Sequence, residues 1–79
     1  MFSYTICNQP DSDLFKKQCR ALEKNIDGLQ AHDLMIDVDG SLVQEYSHPN
    51  GRIQVRNDMQ VGALYVDSQF DLIPYFKKH

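Results

Sequence analysis

Residues 34–66 constrain the fold more than any other stretch, because two strong turn signals divide it into short runs of alternating polarity. Along most of it β-branched and aromatic residues alternate with polar ones, which is the period of a half-buried strand. Asp39-Gly40 and Asn50-Gly51 interrupt the alternation, and such pairs favour tight hairpin turns because both positions need a positive φ. The stretch therefore predicts consecutive antiparallel hairpins.

Two further segments flank the hairpins. Residues 2–7 alternate between apolar and polar side chains and predict a strand that ends before Pro10, since proline cannot donate to a β-ladder. Residues 70–78 predict one or two helical turns, capped by Ser68 or Asp71, because Pro74 is tolerated only near a helix start. The predicted strands are residues 2–7, 34–38, 42–48, 52–57 and 60–66.

Residues 11–26 predict an amphipathic helix. Asp11 or Ser12 can accept hydrogen bonds from the free N–H groups of the first turn, and Gly28 can follow the helix end. Apolar side chains recur at helical spacing, so they should form one stripe that packs on the sheet. The stripe consists of Leu14, Phe15, Cys19, Leu22 and Ile26.

The spacing of the turn signals predicts which residues pair. A two-residue Asn50-Gly51 loop gives a register with an apolar side and a polar side. Its predicted pairs are Tyr46–Val55, His48–Ile53, Glu45–Arg56 and Ser47–Gln54.

The flanking hairpins need an odd loop count or a bulge to keep apolar residues on one face. We expect a three-residue loop or a bulge at Ser41 before residues 42–48, and a three-residue loop over residues 57–59. The predicted pairs are Val38–Leu42, Ile36–Gln44, Leu34–Tyr46, Val55–Val61 and Ile53–Ala63.

Together these elements predict one fold class. The order β-α-β-β-β-β followed by a short helix predicts an α+β two-layer sandwich, with a mostly antiparallel meander sheet and one helix packed on one face. The 79 residues make one small domain, residues 1–79. A chain of this length buries only roughly 60–65% of its unfolded surface, which leaves a thin stability margin.

Composition and charge exclude some function classes. The net charge is −3 and the sequence pI is near 5.4, whereas nucleic-acid binding usually needs a clustered basic surface. The N-terminus lacks the pattern of a signal peptide, and no apolar run approaches the roughly 20 residues that cross a bilayer. We therefore expect a cytoplasmic protein that does not bind membranes and that is a poor candidate for binding nucleic acid.

Residues 34–43, Leu-Met-Ile-Asp-Val-Asp-Gly-Ser-Leu-Val, resemble the first motif of the haloacid-dehalogenase-type phosphatases. The resemblance implies Asp37 as nucleophile and Asp39 as general acid, both contacting Mg²⁺, with Ser41 in place of the usual threonine. It covers ten residues of 79, and that family needs a parallel sheet where this chain predicts hairpins. We therefore interpret Asp39-Gly40 as a turn and keep the phosphatase-like site only as an alternative.

The cysteines and histidines are scattered along the chain. Cys7 and Cys19 form no CxxC pair, and the histidines at positions 32, 48 and 79 have no second ligand at metal-binding spacing. We therefore expect no metal, no cofactor and no catalytic residue.

The candidate binding residues are Glu45, Arg52, Gln54 and Arg56, which the predicted register places on the polar face of the sheet. Their pattern favours a small non-enzymatic protein-binding module, such as an inhibitor, an immunity-type protein or an accessory factor. It would dock through this face or an edge strand, and an open edge also permits a homodimer. The alternative is a nucleic-acid-binding module that uses Arg52, Arg56 and the lysines of residues 11–26.

Overall fold

A computed structural model describes residues 1–76, which form six strands and two helices. Lys77, Lys78 and His79, the end of the predicted C-terminal segment, lie outside the described residues. The elements in chain order are β1 (Phe2–Cys7), α1 (Ser12–Asn25), β2 (Gln30–Ala31), β3 (Met35–Ile36), β4 (Leu42–His48), β5 (Gly51–Asp58), β6 (Ala63–Ser68) and α2 (Ile73–Phe76).

The strands form one antiparallel sheet in the order β1-β6-β5-β4-β2, with β3 also paired to β4. Helix α1 packs on one face of this sheet through a shared apolar core. The predicted α+β two-layer sandwich is therefore confirmed. The sequence did not indicate where β1 lies, and the structure places it at an edge, beside the C-terminal strand β6.

Helix α1 begins and packs as the sequence predicts. Asp11 is its N-cap, because its carboxylate accepts hydrogen bonds from the N–H groups of Asp13 and Leu14 at 3.0 and 3.1 Å. These bonds satisfy N–H groups that have no partner within the helix. In the predicted apolar stripe, Phe15, Leu22 and Ile26 are buried, while Leu14 and Cys19 are half-buried.

The sheet presents two chemically different faces. Successive side chains of a strand point to opposite faces, so the residues that alternate with the buried ones form the other side. The face covered by α1 contributes most of the core. Its buried apolar residues are Tyr46, Ile53, Val55, Leu64 and Val66. We call the opposite side the open face, because no second layer covers it within residues 1–76.

The predicted register of the hairpin between β4 and β5 is wrong by two residues. The turn consists of Pro49 and Asn50, and Gly51 is the first residue of β5, paired with His48. Gly51 has a φ of 143°, so the glycine supplies a positive φ at the start of the strand instead of within the turn. The observed pairs are Tyr46–Ile53, Glu45–Gln54, Ser47–Arg52, Gln44–Val55 and Val43–Arg56.

The predicted strand over residues 34–38 is shortened to β3, Met35–Ile36, and its predicted register is wrong. The pairing to β4 is split between β2 and β3, with three residues, 32–34, lying opposite two, 44–45. The pairing of β3 is shifted by two residues from the prediction, and the extra residue shifts that of β2 by one more, so that Ala31 and not Leu34 lies opposite Tyr46. Ile36 pairs with Leu42 and not with Gln44. The three side chains predicted on the apolar face, Leu34, Ile36 and Val38, are instead exposed at the sheet edge, and Met35 is exposed as well.

The loop between β5 and β6 has four residues, 59–62, and not the predicted three. The Asp58 carboxylate accepts hydrogen bonds from the N–H groups of Gln60 and Val61. The Asp58 carbonyl oxygen accepts a third from the N–H of Gly62. The even loop reverses the predicted faces of the last strand. Leu64 and Val66 therefore point to the core, where Val55 lies opposite Val66 and Asn57 opposite Leu64.

The C-terminal segment closes over one end of the core. Leu72 is buried, and its N–H donates to the Tyr4 hydroxyl at 3.0 Å, while that hydroxyl donates to Asp71 at 2.9 Å. Asp71 also accepts a hydrogen bond from the N–H of Ile73 at 3.0 Å, which confirms it as a predicted cap of the short helix.

Candidate functional site

The four predicted binding residues all lie on the open face. Arg52, Gln54 and Arg56 alternate along β5 with the buried residues of that strand, so their side chains point away from α1. Glu45 lies on β4 directly opposite Gln54. The register error of two residues kept every one of them on the predicted face, because the side-chain period of a strand is two.

Hydrogen bonds join three of these side chains in a row. The Gln54 amide donates from Nε2 to Glu45 Oε2 at 2.7 Å, and Arg56 donates from Nε to Gln54 Oε1 at 3.3 Å. The predicted Glu45–Arg56 pair is wrong, since Arg56 lies opposite Val43. Gln54 therefore links an anionic and a cationic group that the sequence had placed in direct contact.

Arg52 extends this row toward solvent. It is exposed, and within residues 1–76 its guanidinium has no hydrogen-bond or ionic partner. It borders a shallow cavity of about 170 Å³ together with Glu45, Gln54 and Asp67. A free guanidinium beside two carboxylates offers both donors and acceptors to a polar partner surface.

Neighbouring strands add residues that the sequence did not indicate. Asp67 lies opposite Gln54 on β6, and it accepts a hydrogen bond from the Ser3 hydroxyl of β1. Tyr65 lies opposite Arg56, and its hydroxyl donates to Asp58 at 3.4 Å. Their place on this face depends on the four-residue loop between β5 and β6, where the sequence predicted three residues, and on the pairing of β6 with β1, which the sequence did not predict.

The open face also has an apolar end. Met35 on β3 lies opposite Val43 on β4, which lies opposite Arg56 on β5. Met35 is 52% exposed. One row across the sheet therefore reads Met35, Val43, Arg56 and Tyr65, running from an apolar edge to a polar centre. We call Glu45, Arg52, Gln54, Asp67 and this row the open-face site.

The Asp37 and Asp39 carboxylates lie on a hairpin turn between antiparallel strands. Asp37 Oδ1 accepts a hydrogen bond from its neighbour's N–H at 2.7 Å, and Asp39 Oδ1 accepts one from the N–H of Ser41 at 2.9 Å. Hydrogen bonds from Ser41 hold the pKa of Asp39 below its usual value. The turn interpretation of Asp39-Gly40 is confirmed, and the parallel sheet that the phosphatase resemblance implies is not formed by residues 1–76.

A cavity of about 190 Å³ lies beside this turn, bordered by Asp37, Asp39, Asp58 and Arg56. Across residues 1–76, no three His, Cys, Asp or Glu side chains are placed to hold a metal ion. The cationic Arg56 at the same cavity opposes cation binding there.

The cysteines and the described histidines are engaged in the fold. Cys19 is half-buried against the core, and this burial raises the pKa of its thiol, which disfavours the reactive thiolate. His32 Nε2 lies 2.5 Å from the Ser47 hydroxyl. His48 stacks on Phe70 at 4.9 Å, accepts at Nδ1 from the N–H of Asn50, and lies with Nε2 3.0 Å from the Asp27 carbonyl oxygen.

The basic residues of the chain are divided between two sides of the molecule. Helix α1 packs its apolar stripe against the sheet, so its exposed cations point away from it, on the side opposite the open face. Arg52 and Arg56 therefore do not join them in one basic surface. The exposed cations of α1 are Lys16, Lys17, Arg20 and Lys24.

The chain matches no model of a protein family, no curated protein and no solved structure. Neither helix of residues 1–76 has the length and apolar character needed to cross a bilayer.

Proposed function

We propose that this chain is a small non-enzymatic protein-binding module, and that it docks on its partner through the open-face site. An inhibitor, an immunity-type protein or an accessory factor would work in this way. The observation that carries the proposal is the row Met35, Val43, Arg56 and Tyr65 on an uncovered sheet face. Methionine, arginine and tyrosine are enriched at protein interfaces, and arginine and tyrosine are over-represented among the few residues that carry most of the binding energy.

The neighbouring polar groups support this assignment. The bonds from Arg56 to Gln54 and from Gln54 to Glu45 hold three long side chains in place before binding. Preorganised side chains lose less conformational entropy when a partner docks. The free guanidinium of Arg52 then offers a bidentate donor to a carboxylate or carbonyl group of the partner.

The electrostatics favour a protein partner over a nucleic acid. Two arginines on the open face are offset by Glu45 and Asp67 on the same face, so the site is close to neutral. Nucleic-acid binding draws most of its affinity from a clustered positive surface. A mixed surface is instead suited to a complementary protein face, which it can select by charge pattern.

The test is affinity capture from the native host with two charge-matched variants. Arg52→Ala/Arg56→Ala and Lys16→Ala/Lys17→Ala each remove two positive charges, the first pair from the open face and the second from α1. We expect a specific protein to be retained by the wild type and by the α1 variant, and to be reduced by about tenfold or more with the open-face variant.

Equal retention by both variants would contradict the proposed site. Retention of nucleic acid, lost with nuclease and weakened steeply by salt, would favour the nucleic-acid alternative instead.

A further inference from the structure

Strand β1 is a free sheet edge that pairs regularly with β6 over residues 2–5 and carries an irregularity at Ile6, where the register shifts between Thr5 and Cys7. Within residues 1–76 it pairs only with β6, so one side of its backbone is free to hydrogen-bond. Its sequence, Phe-Ser-Tyr-Thr-Ile-Cys, contains no charge and no proline, two of the features that protect sheet edges from pairing. It is also three times as long as β2 or β3 at the opposite edge, whose pairing is interrupted.

An apolar groove of about 300 Å³ lies beside this edge. Tyr4 and Ile6 of β1 line one wall, and Leu72, Ile73 and Phe76 of the C-terminal segment line another. No side chain of residues 1–76 fills it. Two apolar side chains of β1 are exposed, Phe2 at 43% and Ile6 at 39%, and Ile6 is one of the residues that line the groove.

We propose that β1 pairs antiparallel with β1 of a second copy of this chain, and that Phe2 of each copy covers the groove of the other. Antiparallel pairing about a two-fold axis at Tyr4 sets Ser3 opposite Thr5 within the regular part of β1, and Phe2 opposite Ile6 at the register shift. The observed pairings to β6 place Phe2 and Tyr4 on the same face, opposite Ser68 and Val66. Ile6 lines the groove beside Tyr4.

This register makes the two copies self-complementary, as a two-fold interface requires. Each aromatic ring of Phe2 meets an aliphatic side chain across the new ladder, and such cross-strand pairs are favourable. On the open face, Ser3 of one copy lies opposite Thr5 of the other. Both side chains are uncharged hydroxyls, so no charge repulsion opposes the pairing. Because each copy has one β1 edge, association stops at two chains.

The dimer surface is distinct from the open-face site, so the two proposals can fail separately. The experiment is sedimentation velocity on the chain without an N-terminal tag, from about 10 µM to about 1 mM, a range suited to a weak edge-mediated dimer. We expect the mass to rise from one chain to two and no further.

Two edge variants and one matched control test the register. Phe2→Lys places a charge at the groove, and Thr5→Lys places one at an exposed position of the same edge. Val61→Lys changes another exposed apolar residue, in the loop between β5 and β6. We expect both edge variants to weaken the dimer by about tenfold or more and the control to leave it unchanged.

A single-chain mass throughout the range would overturn the proposal. So would a dimer that both edge variants leave intact, or association that continues beyond two chains. Circular dichroism and thermal unfolding of each variant verify that the change in mass is not a loss of fold.

Discussion

At the scale of single residues, Tyr46 shows how one side chain joins the two layers. It is fully buried on β4, and its hydroxyl donates to a carboxylate oxygen of Glu23 on α1 at 2.6 Å. Burial is the main reason that the pKa of Tyr46 is raised above its ordinary value, and the bond to Glu23 raises it further. The folded state therefore keeps the phenol protonated at a pH where the unfolded chain ionises.

This difference predicts a pH dependence of stability. Above about pH 10 the unfolded state binds fewer protons at Tyr46 than the folded state, so this contribution to stability is lost as pH rises. Tyr46→Phe should cost about 0.5–1.5 kcal/mol at pH 7 through loss of the hydrogen bond, and the gap to the wild type should close toward about pH 11. Urea unfolding curves from neutral to alkaline pH measure this. A gap that stays constant with pH would contradict the assignment.

Asn57 is a second residue whose role depends on distant pairing. It is buried on β5, and its Oδ1 accepts a hydrogen bond from the N–H of Asp11 at 2.9 Å, which fixes the start of α1 against the sheet. Within residues 1–76 its Nδ2 has no hydrogen-bond partner. The alternation of β5 could predict that Asn57 points to the core, but the contact with Asp11 depends on how α1 lies across the sheet.

At the scale of elements, the sequence located the turns better than the register. The alternation of apolar and polar residues over 42–48 and 52–57 predicted the bounds of β4 and β5 nearly to their ends, because the two faces of each strand differ in polarity. The observed turn lies one position before the predicted one, since it consists of Pro49-Asn50 and not of Asn50-Gly51. Either turn keeps the same residues on the apolar face, so patterning alone could not choose between registers two residues apart.

Residues 34–38 illustrate the opposite case. Their apolar alternation is typical of a buried strand. The predicted hairpin needed them to pair with residues 42–48 through an odd loop, so that apolar residues stayed on one face. The odd loop was predicted, and residues 38–40 separate Asp37 from Ser41, which are joined by a backbone hydrogen bond of 2.9 Å. The exposure of the strand was not predictable, because it depends on the irregular residues 32–34 and on how far α1 extends over the sheet edge.

Two glycines of the hairpins, Gly51 and Gly62, differ in how closely other residues surround them. A Cβ on Gly51 would lie 2.8 Å from Gln69 Cβ and would need the positive φ of 143°. Gly62 also has a positive φ, of 76°, but a Cβ there meets nothing within 4 Å. Gly62→Ala should therefore cost about 1 kcal/mol from backbone strain, and Gly51→Ala about 2–3 kcal/mol because a clash adds to the strain.

Thermal or urea unfolding of the two variants gives the comparison directly. If Gly51→Ala were no more costly than Gly62→Ala, the close contact between the start of β5 and Gln69 would not exist as described.

At the scale of the whole molecule, the two sides of the sandwich differ in chemistry. The α1 side carries four exposed cations, and the open face carries a near-neutral mixture with an apolar end. The side-chain period of two in a strand made it predictable that one face carries Glu45, Arg52, Gln54 and Arg56. The presence of Asp67, Tyr65 and Met35 on that face was not predictable, because β6 and β3 reach it through loops whose lengths the local sequence does not determine.

The most direct test of docking through the open face is site-specific photo-crosslinking in the native host. A photoreactive residue replaces Arg52 on the open face or, as the control, Arg20 on the exposed side of α1. A docking surface on the open face predicts a cross-link from position 52 to one defined protein and none of comparable yield from position 20. A partner captured equally from both positions, or only from position 20, would contradict the assignment of the open face as the docking surface.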